Sequence, residues 1–167
     1  MERDELRAVQ APLKSRYRED PESALVTLRA EGELGSEEVS CSVATGRALV
    51  QAGLHPASGG DGSLACSGDM LLQALVACAG VTLRSVATSR GMAVGGTLRA
   101  EGDLDFRGTM GVDRDAPVGF QQIRLIADLD TDADEEDIDT LLALTERYCV
   151  VYQTLRAGTP ITLSSSG

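Results

Sequence analysis

The chain has 167 residues, 43% of them hydrophobic, with 3% aromatics and no Trp. That length suits one domain burying about two-thirds of its unfolded surface, with a core of Leu, Val, Ala and Ile. The formal net charge of −11 argues against nucleic acid or an anionic membrane as partner, since both need a cationic face.

Residues 2–14 are expected to form a short helix ending near Pro12, with a polar stretch from Lys14 to Pro21 behind it. This divides the chain into an N-terminal helical extension over 1–20 and a single domain over 21–167. The opening Met1-Glu2-Arg3-Asp4-Glu5-Leu6 lacks the basic-then-apolar order of a secretory signal. Ala24 to Ala30 reads as a strand and Gly32 to Gly35 as a turn. Val39 to Ala44 alternates apolar and polar residues with period two, the signal of a half-buried strand. Gly46 breaks it, and Arg47 to Ala52 is read as its partner strand.

Gly53 to Gly68 is rich in Gly, Pro and Ser and reads as loop. A helix is expected from Ser67 or Asp69, each a suitable N-cap, to about Ser89, with Gly91 as its stop. Its apolar residues surround the whole circumference, which marks a buried helix. The run Met70–Leu83 extends about 14 residues before Arg84 interrupts it, too short to cross a bilayer. The expectation is therefore a cytoplasmic protein with no membrane partner.

Strands are expected at Gly96–Phe106 and Phe120–Asp130, the second with Ile123, Leu125, Ala127 and Leu129 on one face. An amphipathic helix follows, capped by Thr131-Asp132, acidic in its first turns and ending in Arg147, a polarity that suits the helix dipole. Cys149 begins a shorter helix that stops at Gly158, and Pro160 to Leu163 is read as a closing strand. The order of elements is α+β. Thr27 to Leu34 is echoed almost unchanged by Thr97 to Leu104.

Two of the four cysteines carry the chemistry. Cys78 lies deep in the apolar helix, and Cys149 lies behind the amphipathic one, 71 residues later. An intracellular chain rarely keeps a structural disulfide, so such thiols point to metal or redox chemistry. Metal is the weaker reading. No two cysteines have zinc-knuckle spacing, the sole histidine, His55, precedes Pro56, and the acidic run Asp128–Asp139 lacks the ligand order of a calcium loop. If the fold joins the two thiols, one attacks a peroxide and the other resolves the product. Against this stands a plain packing role, since free Cys is among the most buried residues. Cys66 is either an alternative resolving thiol or a buried loop residue, and Cys41 sits on a strand.

Gly59-Gly60-Asp61-Gly62 followed by Ser67-Gly68-Asp69-Met70-Leu71-Leu72-Gln73-Ala74-Leu75-Val76-Ala77-Cys78 resembles the signature of the OsmC/Ohr family. There a glycine-rich turn leads into a helix with an acidic residue nine or ten places before its cysteine. Glu146 to Arg156, around Cys149, is similar to the family's second-cysteine motif, and the similarity covers roughly residues 24–164. It implies an OsmC-like fold of antiparallel sheets wrapped around a long buried helix in an entwined homodimer. The implied activity is thiol-dependent reduction of organic hydroperoxides in oxidative-stress defence. Cys78 is then peroxidatic and Cys149 resolving, with no bound cofactor and an external dithiol reductant. A peroxidatic thiol must be a thiolate, so a cation must offset its desolvation. Arg47 is the candidate cation, with Asp69 orienting it. The chain departs from the family pattern at Val150, where the second motif carries proline, at Gly68, where the organic-hydroperoxide branch carries Glu, and in the residues flanking Arg47, which match those of the activating arginine only loosely. These departures keep two alternatives open, a non-enzymatic protein binding a small lipophilic ligand at the dimer interface and a dithiol redox sensor.

Overall fold

The computed structural model describes residues 3–34, 41–43 and 52–165. Arg47, and most of the strand expected from it, lies outside them.

The first helix, α1 (Arg3–Glu19), runs straight through Pro12 instead of ending there. A proline inside a helix forfeits one hydrogen bond, so tertiary contacts must hold the last turns. Tyr17 supplies them: it is fully buried, and its hydroxyl donates to the Ala57 carbonyl. Around it pack Ala24, Phe106 and Met110, a small second core.

The sheet has four antiparallel strands in the order β2-β1-β5-β6, formed by β1 (Leu25–Leu34), β2 (Cys41–Val43), β5 (Gly95–Asp105) and β6 (Phe120–Asp130). The turn expected at Gly32 is absent. Strand β1 continues through it because Gly32 pairs with Leu98 on one side and Val43 on the other. The echoed segments are themselves the paired ones: Thr27 faces Asp103, Ala30 faces Ala100 and Glu33 faces Thr97. The pairing is thus nearly two-fold symmetric about Ala30 and Ala100, and Thr27 Oγ1 donates to Asp103 Oδ1 at 2.7 Å.

On β5 the inward residues are Leu98, Ala100 and Gly102, matched in register by Ala127, Leu125 and Ile123 of β6. The outward face is charged, with Arg124 on both Glu101 and Asp103. A two-residue parallel pair, β3 (Ala52–Gly53) with β4 (Ala65–Cys66), and a 3-10 turn at Pro56–Ser58 give order to the stretch read as loop.

The central helix α2 (Ser67–Ser89) has the expected bounds, with Gly91 in the left-handed region behind it. Its N-cap is Cys66, so Ser67 and Asp69 lie inside the first turn. The 23-residue helix passes Arg84 without interruption, and by length and composition alone it is enough to cross a membrane, which corrects the shorter estimate. The fold accounts for that apolarity: Leu72, Leu75, Val76, Ala79 and Leu83 pack against the sheet, α4 (Glu135–Tyr148) and α5 (Val150–Ala157). Arg84 is buried too, with Nη1 donating to the Val94 carbonyl at 2.6 Å.

A single-turn helix, α3 (Phe106–Thr109), follows β5. The cap of α4 is Asp134, whose carboxylate accepts from the Asp137 amide at 2.9 Å, and not Thr131-Asp132. Instead Thr131 Oγ1 donates to the Ala93 carbonyl, tying the end of β6 to the start of β5. The closing strand expected at Pro160–Leu163 is not formed; Ile161 is 93% and Leu163 99% exposed.

Candidate functional site

Helix α2 presents two faces. Leu72, Leu75, Val76, Ala79 and Leu83 point into the core, while Leu71, Ala74, Cys78 and Val81 follow one another at helical spacing on the outer side. Cys78 sits at the edge between the two, half-buried, and its carbonyl accepts from Thr82 Oγ1 at 2.8 Å.

Cys149 reaches the same place from the far end of the chain. Its backbone is extended (φ −72°, ψ 110°), which ends α4 and turns the chain into α5. Its amide bonds back to the Thr145 carbonyl at 2.9 Å, and its Sγ caps α5 by accepting from the Tyr152 amide at 3.5 Å. Val150 is the first residue of α5, a position where proline is favoured because the amide lacks a helical partner anyway. Its loss is therefore tolerable: the thiol cap and the extended cysteine make the break without it.

The two thiols are neighbours in one core, Cys149 within it and Cys78 packed against it. Cys149 is fully buried, and burial pushes its thiol up to about 11, with the hydrogen bond and charge of neighbouring Cys78 adding to the rise and the Tyr152 amide opposing it. At neutral pH Cys149 is therefore a protonated thiol. Against it lies an apolar cavity of about 260 Å³, lined by residues including Ala79, Leu83, Ile123, Leu125 and Tyr152.

Asp69 is not with them. Nine residues of helix carry it about 13 Å along α2 and half a turn around from Cys78. Burial raises its carboxyl above the usual range, a rise that the interaction with nearby His55 partly offsets. His55 stacks on Phe106 at 5.0 Å and accepts the Ala57 amide on Nδ1 at 3.0 Å. Cys66 belongs to this second region, in a pocket of about 420 Å³ shared with Lys14 and His55. Twelve residues separate it from Cys78, about 18 Å of helix rise, so within one chain it is not the thiol that meets Cys78. Among the described residues no three His, Cys, Asp or Glu side chains converge as a metal site.

The sequence reading missed the neighbours of Cys149. Glu146, Cys149, Tyr152 and Arg156 recur at intervals of three, three and four residues, a spacing that a continuous helical stripe would have made visible.

The family model for OsmC-like proteins matches residues 60–164, well over half of the chain and both cysteine motifs. The chain belongs to the OsmC-like protein family. Among curated proteins no sequence matches it. Among solved structures it is similar to an OsmC-like hydroperoxide resistance protein from Jannaschia sp. CCS1, with a TM-score of 0.52 and 16% identity. The match covers 84% of this chain and 91% of that one. At such identity the likeness establishes a shared fold, an OsmC-like α+β arrangement of helices on an antiparallel sheet.

Proposed function

We propose that this OsmC-like protein is a thiol-dependent peroxidase that reduces organic hydroperoxides, with Cys78 peroxidatic and Cys149 resolving. The observation that carries the reading is that the fold packs the two cysteines into one core, Cys78 half-buried on α2 and Cys149 fully buried. The similarity to a hydroperoxide resistance protein supports the substrate class.

In the first step the Cys78 thiolate attacks the terminal oxygen of R–O–O–H. The O–O bond breaks, Cys78 becomes a sulfenic acid, and the alkoxide leaves to be protonated to the alcohol. A thiol held near 11 is a poor nucleophile at neutral pH, so the attacking role falls to Cys78 and not to Cys149. Oxidation of Cys78 removes the hydrogen bond and charge that help to keep Cys149 protonated. The Cys149 sulfur then displaces hydroxide from the sulfenic acid, and water and a Cys78–Cys149 disulfide result. An external dithiol reduces that disulfide and is itself oxidised. Arg47 is the proposed cation beside Cys78, and Asp69, about 13 Å along α2 from that cysteine, is proposed to orient it.

A second copy of this chain completes the proposal as an entwined homodimer. It would cover Leu71, Ala74 and Val81 beside Cys78, together with Tyr148 and Val150, 57% and 70% exposed in the single chain.

The test is intact-mass analysis and peptide mapping of the reduced protein after one equivalent of cumene hydroperoxide. A Cys78–Cys149 disulfide formed within seconds, and absent in Cys78→Ser, supports the proposal. Unchanged thiols, or slow scattered oxidation that includes Cys66, would sink it. The apolar cavity beside Cys149 would then favour the ligand-binding alternative.

A further inference from the structure

The cavity of about 420 Å³ that Cys66 lines lies at the start of α2, away from the thiol pair. It exceeds the size of about 300 Å³ at which small-molecule pockets begin. Helix α1 closes one side of it. There Gln10 Nε2 donates to the Ser58 carbonyl at 3.3 Å, and the Tyr17 hydroxyl donates to the Ala57 carbonyl. That helix precedes residues 60–164, so this wall is no part of what the family model matches.

The lining gathers what the chain otherwise lacks. Only two phenylalanines and one histidine occur in the sequence, and Phe106, Phe120 and His55 all line this cavity. His55 stacks on Phe106 with the ring planes 23° apart, while Leu104 and Met110 add apolar surface. Contacts between aromatic rings are worth more than the area they bury, so this wall favours a ring.

The polar part of the lining is cationic, although the whole chain carries a net charge of −11. Lys14 is on the wall, and none of the ion pairs among the described residues involves it. The Asp105 carboxylate lines the cavity too, but it is already engaged, accepting from the Arg107 amide at 2.9 Å and from Arg107 Nε at 3.0 Å. Asp69 interacts with His55 and is not part of the wall. Because His55 Nδ1 accepts the Ala57 amide, the neutral ring carries its proton on Nε2, which is then a donor. A cation without an acid partner, together with a ring nitrogen that donates, fits an anionic group.

We infer that this cavity binds a small aromatic carboxylate, with its ring against Phe106 and Phe120 and its carboxylate toward Lys14 and His55. The inference stands apart from the peroxidase reading, since it uses neither Cys78 nor Cys149.

The experiment is calorimetric titration of the full reduced chain with phenylacetate, the neutral phenylacetamide and the saturated cyclohexylacetate. Phenylacetate should bind about tenfold tighter than the amide, the worth of one charge-assisted contact. It should bind about threefold tighter than cyclohexylacetate, which lacks the aromatic contact. Lys14→Gln should erase the preference for phenylacetate over the amide and leave the affinity for the amide unchanged, and Lys14→Arg should keep the preference. Lys14 is only half-buried, so both variants should fold. Cys66 reports the place: saturating phenylacetate should slow its alkylation by iodoacetamide, read by peptide mapping, and leave the rate at Cys78 unchanged. No binding by any of the three compounds, equal affinity for all of them, or protection of Cys78 in place of Cys66 would overturn the inference. Binding as described, with thiols untouched by cumene hydroperoxide, would uphold the site and reject the peroxidase.

Discussion

Cys149 is fully buried in the core against which Cys78, a residue 71 positions earlier, is packed, where the junction of α4 and α5 meets α2. The arrangement places a thiol whose ionisation burial opposes behind one that is half-open to the outside. Under the proposed mechanism the two replacements are not equivalent. Cys78→Ser should abolish reaction with cumene hydroperoxide. Cys149→Ser should still react once but halt at the sulfenic acid, then pass to sulfinic and sulfonic acids as peroxide is added. Mass spectrometry of the two variants reads the difference directly, and equal behaviour would remove the division of roles.

The raised Cys149 thiol has a consequence for stability. Its folded value of about 11 lies above the ordinary 9.0, so the unfolded chain gives up its proton first as pH rises. The folded state then binds more protons, and stability must fall with pH. The contribution is fully present below about pH 9 and is lost through about pH 11, on the order of 1–2 kcal/mol. Urea unfolding of the reduced wild type and Cys149→Ser at pH 8 and pH 11 measures it; the wild type should lose more across the interval.

Gly96 holds the β5–β6 pairing where only glycine fits. Its φ is +110°, and an added Cβ would run into the Asp128 carbonyl and lie 3.0 Å from the Asp130 amide nitrogen. Gly91 makes the control, with φ +69° and open space around it. Gly91→Ala should cost only the left-handed strain, about 1 kcal/mol. Gly96→Ala should cost about 2–3 kcal/mol, because backbone must move as well. Chemical denaturation of both variants ranks them.

Tyr17→Phe tests how α1 is attached. The ring stays, but the Ala57 carbonyl loses its donor, at about 1 kcal/mol or about 2–4 °C in Tm for a chain of this size. Hydrogen exchange should quicken first in α1, ahead of α2.

Elements governed by local chemistry were legible from the residues alone. The limits of β6, the stop of α2 at Gly91 and the break at Cys149 follow from alternation, a left-handed glycine and helical spacing. Elements decided by distant partners were not. Pro12 sits inside α1 because Tyr17 finds Ala57, and Gly32 sits inside β1 because strands on both sides claim it. Arg84 looked like the end of an apolar run but is buried on the Val94 carbonyl. Thr131 looked like a cap and is spent on the Ala93 carbonyl, leaving Asp134 to cap α4. At the site, the motif order pointed to both cysteines, and the helix expected over 67–89 already put Asp69 about two and a half turns from Cys78; that Cys149 packs into the same core depends on how α4 and α5 meet α2 and was not legible.

The near-symmetry of the β1–β5 pairing also bears on assembly. A segment that meets a near-copy of itself in antiparallel register can meet the same segment of another molecule with the same residues opposed: Thr97 against Asp103, Arg99 against Glu101. Before β1 has docked, a free β5 therefore has competing partners in every other unfolded chain, and nothing in the pairing pattern tells them apart. Refolding yield should drop as protein concentration rises, and the lost material should be strand-exchanged oligomers. Breaking the echo with Glu31→Arg and Arg99→Glu together would keep opposite charges across β1 and β5 but oppose like charges whenever β5 meets another β5, giving the chain a means of recognising its own strand.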